Sequence, residues 1–419
     1  MALPEDASTS VDRAAAPPEG PDPAAWTRQL LILWAGGCAT IGGATFVFPF
    51  LPLMVRTVGV DDPAAIALWS GALVAITQVA LALFAPIWGR IADRVGRKPM
   101  LVRAMVGGGL TFIAAGFSPN IYVLFAMRFA QGALAGTISA NTALVASTAP
   151  RDRVAHSLGV VQSASYVGTT LGPALGAVLV PIFGIRPAFA VAGIFPMLAA
   201  AGVAFGVHET FTAPARIPKP PRARVAIREA GVERSVITLV VMALLAQSVG
   251  SALAVALSLR ALGLISQDHA AAGVGAVFAL QAGCAAVAAL SVSRVARYFG
   301  YREILIVAAL WAGIFYGLLG VASSLALLLL CAGLGGLAAG AVMPAVNTLL
   351  GRVSPAAVRA EVFGFSASAM AIGGAVSPLV STGLVARFGT PAPFFMVTGI
   401  EVLLATWAAV RVRRRRRRS

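Results

Sequence analysis

Gly89-Arg-Ile-Ala-Asp-Arg-Val-Gly-Arg-Lys98 is a charged segment that lies between two long apolar stretches, 66–87 and 100–117. Each stretch has about the 20 residues that an α-helix needs to cross a bilayer. Short loops that join two spans and are rich in Lys and Arg face the cytoplasm. The segment therefore predicts a tight cytoplasmic turn between two membrane-spanning helices.

The composition of the chain is that of a protein that crosses the bilayer many times. Hydrophobic residues make up 58% of the 419 positions, charged residues make up 11%, and the mean hydropathy is +0.87. A soluble domain has about 25% charged residues. Apolar windows predict an all-α fold of twelve spans, at 29–51, 65–88, 99–117, 121–146, 157–180, 187–207, 235–260, 270–292, 303–321, 324–349, 358–385 and 392–411.

The net charge of +16 could also indicate a nucleic-acid-binding protein, so the distribution of charge decides between the classes. With both termini in the cytoplasm, few of the 32 Lys and Arg residues lie on the other side. Those residues are Arg56, Arg186, Arg260 and Arg387. This asymmetry predicts an inner-membrane protein with cytoplasmic termini. The terminal run 413–418 then contacts anionic membrane lipid, and nucleic-acid binding by this tail is the less favoured alternative.

Polar segments divide the chain into five regions. We expect a disordered tail at 1–28, a six-helix bundle at 29–207, a linker at 208–234, a second six-helix bundle at 235–411 and a basic tail at 412–419. The bundles resemble each other, because 89–101 aligns with 293–305 and Phe183-Gly184 aligns with Phe388-Gly389. An internal repeat of this kind predicts a binding site between two related halves.

The charged segment at 89–98 carries the first functional motif. Its glycines permit tight turns and close helix approach, and its one acid stands among several cations. The pattern resembles the signature loop between helices 2 and 3 of the major facilitator superfamily. This resemblance implies a gating role for Gly89, Asp93, Arg94, Gly96, Arg97 and Lys98.

Asp93 would face the cytoplasmic start of helix 11 in the outward-open state, as the resemblance implies. Ser354-Pro355 has the pattern of an N-cap and first helical residue, whose free amides attract a carboxylate. The second bundle has Arg297 at the equivalent position, so this gate is one-sided. The alternative is a loop that only sets topology, which would explain the cations but not Asp93 or the glycines.

Span 4 contains the second motif, Arg128-Phe-Ala-Gln131-Gly132. An arginine inside a span usually faces a cavity or an internal partner. The motif resembles the R-x-x-Q-G motif of drug/proton antiporters, in which the arginine is linked to proton coupling. The alternative is that Arg128 extends along the helix to the membrane surface.

Span 5 contains the third motif, Gly168-Thr-Thr-Leu-Gly172-Pro173-Ala-Leu-Gly176. Glycines spaced by four form a flat face for another helix, and the proline bends the helix. The pattern resembles the antiporter motif that is found in exporters of the superfamily. Generic packing of small residues is the alternative. Phe48-Pro-Phe-Leu-Pro-Leu53 and Trp69-Ser-Gly71 further resemble the twelve-span multidrug-resistance branch.

Glu401 in span 12 is the one acid well inside a predicted span, and spans 1 and 4 contain neither Asp nor Glu. A carboxylate in that position could carry a proton. Because the twelfth helix of this fold usually lies outside the cavity, we expect Glu401 to be a weaker candidate for proton coupling than Arg128.

Polar and aromatic side chains inside the spans are candidates for the wall of a substrate cavity. These candidates are Trp34, Gln78, Asn141, Tyr166, Gln247, Gln281 and Asn347. Hydrogen bonding between helices is the alternative for them. Patterns for metal binding, cofactor binding, nucleotide binding or hydrolysis do not occur, so we expect neither a metal, a cofactor nor an enzyme.

The resulting fold prediction is an all-α membrane protein with twelve transmembrane helices in two pseudo-symmetric six-helix bundles. The resemblance implies a monomeric secondary transporter that exports small apolar or amphipathic compounds in exchange for protons. A transporter for one metabolite, such as a sugar, is an alternative. A non-transporting membrane sensor is disfavoured, because the sequence has no segment long enough for a soluble signalling domain.

Overall fold

A computed structural model describes residues 23–150, 152–209, 231–266, 269–355 and 358–411. The predicted tail at 412–419, nearly all of the tail at 1–28 and most of the linker at 208–234 lie outside these residues. The description of the fold is therefore confined to the helical part of the chain.

Thirteen α-helices form the described part of the chain, and no strand occurs there. They are α1 (Pro23–Thr57), α2 (Pro63–Val95), α3 (Arg97–Gly116), α4 (Ile121–Leu134), α5 (Thr137–Thr148), α6 (Val154–Phe183), α7 (Ile185–Gly206), α8 (Glu233–Leu262), α9 (Ala270–Phe299), α10 (Tyr301–Val321), α11 (Leu325–Val353), α12 (Arg359–Phe388) and α13 (Ala392–Arg411). Because α4 and α5 share one crossing, these helices make 12 candidate membrane spans, and the predicted number is confirmed.

Glycines with positive φ make the tight turns between consecutive helices, and they recur in the two halves. Gly96 (φ 104°) joins α2 to α3, and Gly300 (φ 84°) joins α9 to α10. Gly184 (φ 80°) and Gly389 (φ 84°) follow α6 and α12 in the same way. Residues with a Cβ rarely adopt this conformation. The sequence repeat is therefore also a repeat of backbone geometry.

The helices pack in two sets, α1–α7 and α8–α13. In the first set α1 packs against α6 and α7, α3 against α7, and α2 against α4. In the second set α8 packs against α12, α9 against α11, and α10 against α11 and α13. Phe46 and Trp26 lie in buried clusters of the first set, and Phe394 and Leu305 lie in those of the second. The two sets meet where α2 contacts α12, α6 contacts α9 and α1 contacts α8.

Two close contacts between the sets lie far from the α2–α3 turn. We call the face of the molecule that bears this turn the basic face, and the other end the opposite face. Near the opposite face, a Cβ on Gly71 of α2 would lie 2.9 Å from the Pro378 carbonyl oxygen of α12. The Ser258 hydroxyl of α8 donates to the Phe48 carbonyl of α1 at 3.4 Å. These contacts hold the two sets together at the opposite face.

The fourth crossing, predicted at 121–146 and found as the candidate span Ile121–Thr148, is formed by two helices, α4 and α5. Gly136, with φ 127°, separates α4 from α5. The Trp88 indole donates to the Ala133 carbonyl at 2.6 Å, and Arg103 donates to the Leu134 carbonyl at 2.8 Å. A break inside a bilayer requires such partners for the freed carbonyls. Hydropathy could not reveal it, because the residues at the break are small and uncharged.

Ser354 is the C-cap of α11 and Val358 the N-cap of the next described helix, which corrects the prediction that Ser354 caps a helix start. Its N–H donates to the Leu350 carbonyl at 3.0 Å, and its hydroxyl donates to the same oxygen at 2.7 Å. A serine that bonds back to the carbonyl four residues earlier is satisfied inside the preceding helix. The helix that follows, α12, begins at Arg359.

Candidate functional site

A cavity of about 370 Å³ lies between the two sets of helices. The first set contributes residues of α1, α2 and α6, and the second contributes residues of α8, α9, α10, α11 and α13. The wall is mostly apolar, and Phe48, Val74, Leu253, Phe278 and Met343 are among its residues. The volume and the lining are those of a site for small organic molecules.

Three of the predicted cavity residues line this cavity, namely Gln78, Gln247 and Gln281. Gln78 comes from the first set, and the other two come from the second. The Gln247 amide donates to the Ser251 hydroxyl at 3.2 Å, and Ser251 also lines the cavity. The amides therefore offer hydrogen bonds on both sides of an otherwise apolar space.

The remaining predicted cavity residues do not line this cavity. The Trp34 indole donates to the Ser163 hydroxyl at 3.0 Å, and the Asn141 amide donates to the Leu33 carbonyl at 3.0 Å. For Trp34 and Asn141 the alternative of hydrogen bonding between helices is the better description. Asn347 lies on α11 outside the cavity wall, and the side chain of Tyr166 lies outside the described part of the chain.

Glu401 of α13 is the one charged side chain in the described cavity wall. It is 1% exposed, and its Oε2 atom has no hydrogen-bond partner in the described part of the structure. Gly313 of α10 leaves room for the Glu401 side chain, because a Cβ on Gly313 would lie 3.3 Å from the Glu401 Cβ. The expectation that the twelfth span lies outside the cavity is therefore wrong at this residue.

Tyr316 of α10 links Glu401 to the amides of the wall. It is 2% exposed and lies close enough to interact with both the Glu401 carboxylate and the Gln281 side chain. All three residues line the cavity. The second set thus presents a carboxylate, a phenol and an amide together.

Arg128 of α4 is buried inside the first set and is 3% exposed. Its Nε donates to the Leu73 carbonyl of α2 at 3.4 Å, and its Nη1 donates to the Gln131 side chain. The Thr77 hydroxyl donates to the Arg128 carbonyl at 3.1 Å. These bonds tie α4 to α2 and hold the guanidinium inside the protein, so it does not extend to the surface. None of the ion pairs among the described residues includes Arg128, and it does not line the cavity.

Asp93 lies at the end of α2 on the basic face, where its side chain is 60% exposed. Its Oδ1 atom is 3.3 Å from Nη2 of Arg97, one helical turn further along the chain. Arg94 is exposed beside it. A Cβ added to Gly89 would meet open space, so that glycine makes no close helix contact here. Among the described residues, no hydrogen bond or ion pair joins Asp93 to α12.

The three glycines of the α6 motif face α1. A Cβ on Gly168 would lie 2.9 Å from the Cys38 carbonyl oxygen, and one on Gly172 would lie 2.8 Å from the Phe46 nitrogen. A Cβ on Gly176 would lie 3.0 Å from Cδ2 of the Phe46 ring. Pro173, on the other side of α6, lines the cavity. The motif therefore closes the α1–α6 contact with one face and shapes the cavity with the other.

Comparison with known proteins assigns the family. The chain matches the family model described as Major Facilitator Superfamily over residues 33–264 and 239–419. It belongs to the Major Facilitator Superfamily.

Two relatives and one solved structure show how this superfamily member compares with known transporters. Multi-drug resistance efflux pump PmrA of Streptococcus pneumoniae is 32% identical over 381 residues, which are 88% of this chain and 92% of that protein. Multidrug resistance protein MdtG of Escherichia coli (strain K12 / DH10B) is 30% identical over 403 residues, which are 96% and 98% of the two chains. A bacterial homologue of the human lysosomal transporter Spinster, in an inward-facing and occupied conformation, superposes with a TM-score of 0.76 at 15% identity and covers 93% of this chain and 97% of that one. These relatives place the chain in the multidrug branch, and the structure shows the shared fold.

In this superfamily member, Glu209 contacts the α2–α3 turn, and the sequence did not reveal this contact. It follows α7, and its two carboxylate oxygens accept the backbone N–H groups of Arg97 and Lys98 at 2.9 and 2.8 Å. A carboxylate at a helix N-terminus satisfies orphan donors and complements the helix dipole. The contact joins residues more than 100 positions apart, so no local pattern could have pointed to it.

Proposed function

We propose that this protein is a multidrug efflux transporter that exports small apolar or amphipathic compounds in exchange for protons. The observation that carries the proposal is the cavity between the two helix sets, with its apolar wall, a few amides and one carboxylate. Such a wall buries the apolar surface of many molecules and demands few directional hydrogen bonds. The names of the relatives PmrA and MdtG support the same function.

Transport proceeds by alternating access between two bundles, residues 29–207 and 235–411. The contacts near Gly71 and Ser258 close the opposite face, and Asp93 on the basic face is disengaged. The excess of Lys and Arg supports a cytoplasmic position for the basic face and for both termini. With that orientation, the arrangement corresponds to an inward-open state. When the basic face closes, Asp93 engages the start of α12 and stabilises the outward-open state.

Glu401 carries the proton, and Arg128 couples its binding to helix movement. A carboxylate surrounded by apolar side chains is unfavourable unless a proton or another cation neutralises it. Glu401 meets this description, since it is buried and lines the cavity. Arg128 holds α4 to α2 at Leu73, and the far end of α2 bears Asp93. A shift of α4 is therefore transmitted along α2 to the gating loop.

Purified protein in liposomes with an imposed pH gradient tests the proposal. We expect a fluorescent amphipathic compound to move against the proton flow, with transport abolished when an ionophore collapses the gradient. Transport that ignores the gradient and requires ATP would exclude proton exchange. A panel of unrelated compounds in cells with and without the gene tests the substrate range, because protection against a single compound would indicate a transporter for one metabolite.

A further inference from the structure

A small pocket lies within the first set of helices, between α1, α5 and α6. It has room for a single water-sized group. None of the residues that line it is ionisable, and its polar lining residues are Thr137, Asn141, Thr142, Gln162 and Ser165. The small pocket therefore differs in chemistry from the large cavity, whose wall contains Glu401.

Asn141 of α5 has a hydrogen-bond partner for one end of its side-chain amide. The N–H group donates to the Leu33 carbonyl of α1 at 3.0 Å. The other end, Oδ1, has no hydrogen-bond partner in the described part of the structure, although the residue is 2% exposed. Buried side-chain acceptors nearly always have a donor. Because Asn141 lines the small pocket, a group bound in that pocket can supply the donor.

The small pocket lies one helical turn from the large cavity. Ile41 of α1 lines the pocket, and Thr45, four residues later, lines the cavity. Ser165 and Thr169 of α6 are related in the same way. Four residues of an α-helix span about 6 Å. Since α1 and α6 both run from the basic face toward the opposite face, the small pocket lies on the basic-face side of the cavity.

The small pocket opens toward the space between the two sets of helices. Gln162 is exposed and shares a face of α6 with Thr169 and Pro173, because residues seven and eleven positions apart lie on the same side of a helix. Thr169 and Pro173 line the large cavity between the sets. One molecule can therefore place a polar end in the small pocket while its apolar body occupies the cavity.

A neutral hydroxyl group suits the small pocket better than a charged group does. A hydroxyl can donate to Oδ1 of Asn141 and accept a hydrogen bond from a neighbour such as Thr137 or Gln162. An ammonium group cannot accept a hydrogen bond, and a carboxylate cannot donate one. Either charge would also be buried in a wall that contains no opposite charge, which is unfavourable.

We propose that Asn141 and its polar neighbours form a neutral subsite that receives a hydroxyl group of an exported compound. The hydroxyl supplies the donor that Oδ1 lacks, while the apolar body of the same compound occupies the large cavity. The proposal rests on the proposed export function and adds to it a substrate class, uncharged amphipathic alcohols. Asn141 then has two roles, because its N–H group ties α5 to α1 and its oxygen recognises the substrate.

Equilibrium fluorescence binding to the purified full-length protein, without any gradient, tests the subsite. The probes are N-(6-hydroxyhexyl) dansylamide and N-heptyl dansylamide, in which a methyl group replaces the hydroxyl. A hydroxyl that is buried without a partner weakens binding, whereas a hydrogen-bonded one does not. We expect the unaltered protein to bind the alcohol about threefold or more tightly than the heptyl compound. This ratio should not change with pH, since neither the hydroxyl nor the wall of the small pocket ionises.

Two variants locate the preference for the alcohol. Asn141→Leu removes the acceptor, and Ser165→Val narrows the small pocket while leaving Asn141 and Leu33 unaltered. In both variants we expect the preference to be lost, with binding of the heptyl compound changed by less than about twofold. Asn347→Leu, at an amide of α11 outside both walls, is the matched control and should keep the preference.

Two results would overturn the subsite. Equal affinity of the unaltered protein for both probes would mean that water satisfies Asn141. A preference that persists in Ser165→Val and Asn141→Leu would place the hydroxyl elsewhere. If Asn141→Leu unfolds through loss of its bond to Leu33, Ser165→Val and the unaltered protein decide the question. Absence of proton-driven transport in liposomes would overturn the proposed function and leave the binding preference intact.

Discussion

In the described part of the chain, each half of the molecule buries one charged side chain inside the membrane-spanning region, and the two charges have opposite surroundings. Arg128 in the first half is bonded to Leu73 and Gln131 and lies away from the cavity. Glu401 in the second half lines the cavity and has an oxygen without a partner in the described structure. A charge that the protein itself satisfies stabilises one arrangement of helices. A charge that the protein leaves unsatisfied is available to a ligand.

The turns at the basic face show the same divergence from a shared geometry. Gly96 and Gly300 give both turns the same backbone form. In the first half Glu209 accepts the N–H groups at the start of α3. In the second half Arg302 instead donates to the Ala409 carbonyl, and Arg297 stands where the first half has Asp93. The repeat therefore preserves the turn and changes the chemistry on it.

The largest effect is expected for Glu401→Gln. If the unsatisfied carboxylate exchanges protons, its neutral isostere should abolish proton-driven transport while the protein still inserts and folds, because only one charge is removed. Initial rates in liposomes at matched protein content measure this. Asp61→Asn, at an exposed acid that precedes α2 on the opposite face, is the control and should transport normally. Retained transport in Glu401→Gln would remove the distinction that we draw between the two buried charges.

Asp93→Asn should reduce transport by about tenfold or more with little change in stability. The exposed Asp93 side chain contributes little to the stability of the arrangement described above. Its substitution should therefore destabilise mainly the state in which the basic face is closed. Spin-label distances between the basic-face ends of α2 and α12 should shift toward the open separation. Asp152→Asn, at an exposed acid paired with Arg153, is the control. Full transport by Asp93→Asn would eliminate the gate.

Arg128→Ala should reduce both the stability of the protein and coupled transport. It removes the bonds to Leu73 and Gln131 and leaves a cavity, for which about 2–5 kcal/mol is typical of buried sites. Arg128→Lys should recover only part, since an ammonium cannot reproduce the guanidinium geometry. Thermal unfolding in detergent and transport rates measure the two effects. Normal transport by a stable Arg128→Ala protein would mean that Arg128 contributes only to packing.

Gly172→Ala should destabilise the first half by about 1–3 kcal/mol. The added methyl group would lie 2.8 Å from the Phe46 nitrogen, so α1 and α6 must separate. Gly108→Ala in α3 is the control, because its methyl group would meet open space. That variant should be neutral or slightly stabilising, since Ala favours helices over Gly. Equal melting temperatures of the two variants would contradict the tight α1–α6 contact.

The smallest effect is expected for Glu209→Gln. An amide keeps one acceptor but loses the charge and the second hydrogen bond at the start of α3, so the local loss should be about 0.5–2 kcal/mol. Faster hydrogen exchange at the Arg97 and Lys98 amides would show it, with global stability nearly unchanged. Unchanged exchange at both amides would mean that Glu209 does not secure this turn.

The sequence by itself determined the number of spans, their approximate limits, the repeat and the glycine turns. These features follow from hydropathy, charge and backbone freedom, which are properties of short stretches of chain. The motifs at 89–98, 128–132 and 168–176 also identified the superfamily, because their residue types and spacing are local. The sequence also predicted three amides of the cavity wall, Gln78, Gln247 and Gln281, because polar groups inside a span require a polar environment.

Only the tertiary structure decided which of these residues act together. The break in span 4 is stabilised by Trp88 and Arg103 from other helices, and Glu209 reaches the α2–α3 turn from the end of α7. Whether a buried charge is satisfied depends on atoms far away in the chain, and so does its access to the cavity. For this reason the sequence ranked Arg128 above Glu401, whereas the packing of α13 against Gly313 brings Glu401 to the cavity and leaves Arg128 bonded within its own half.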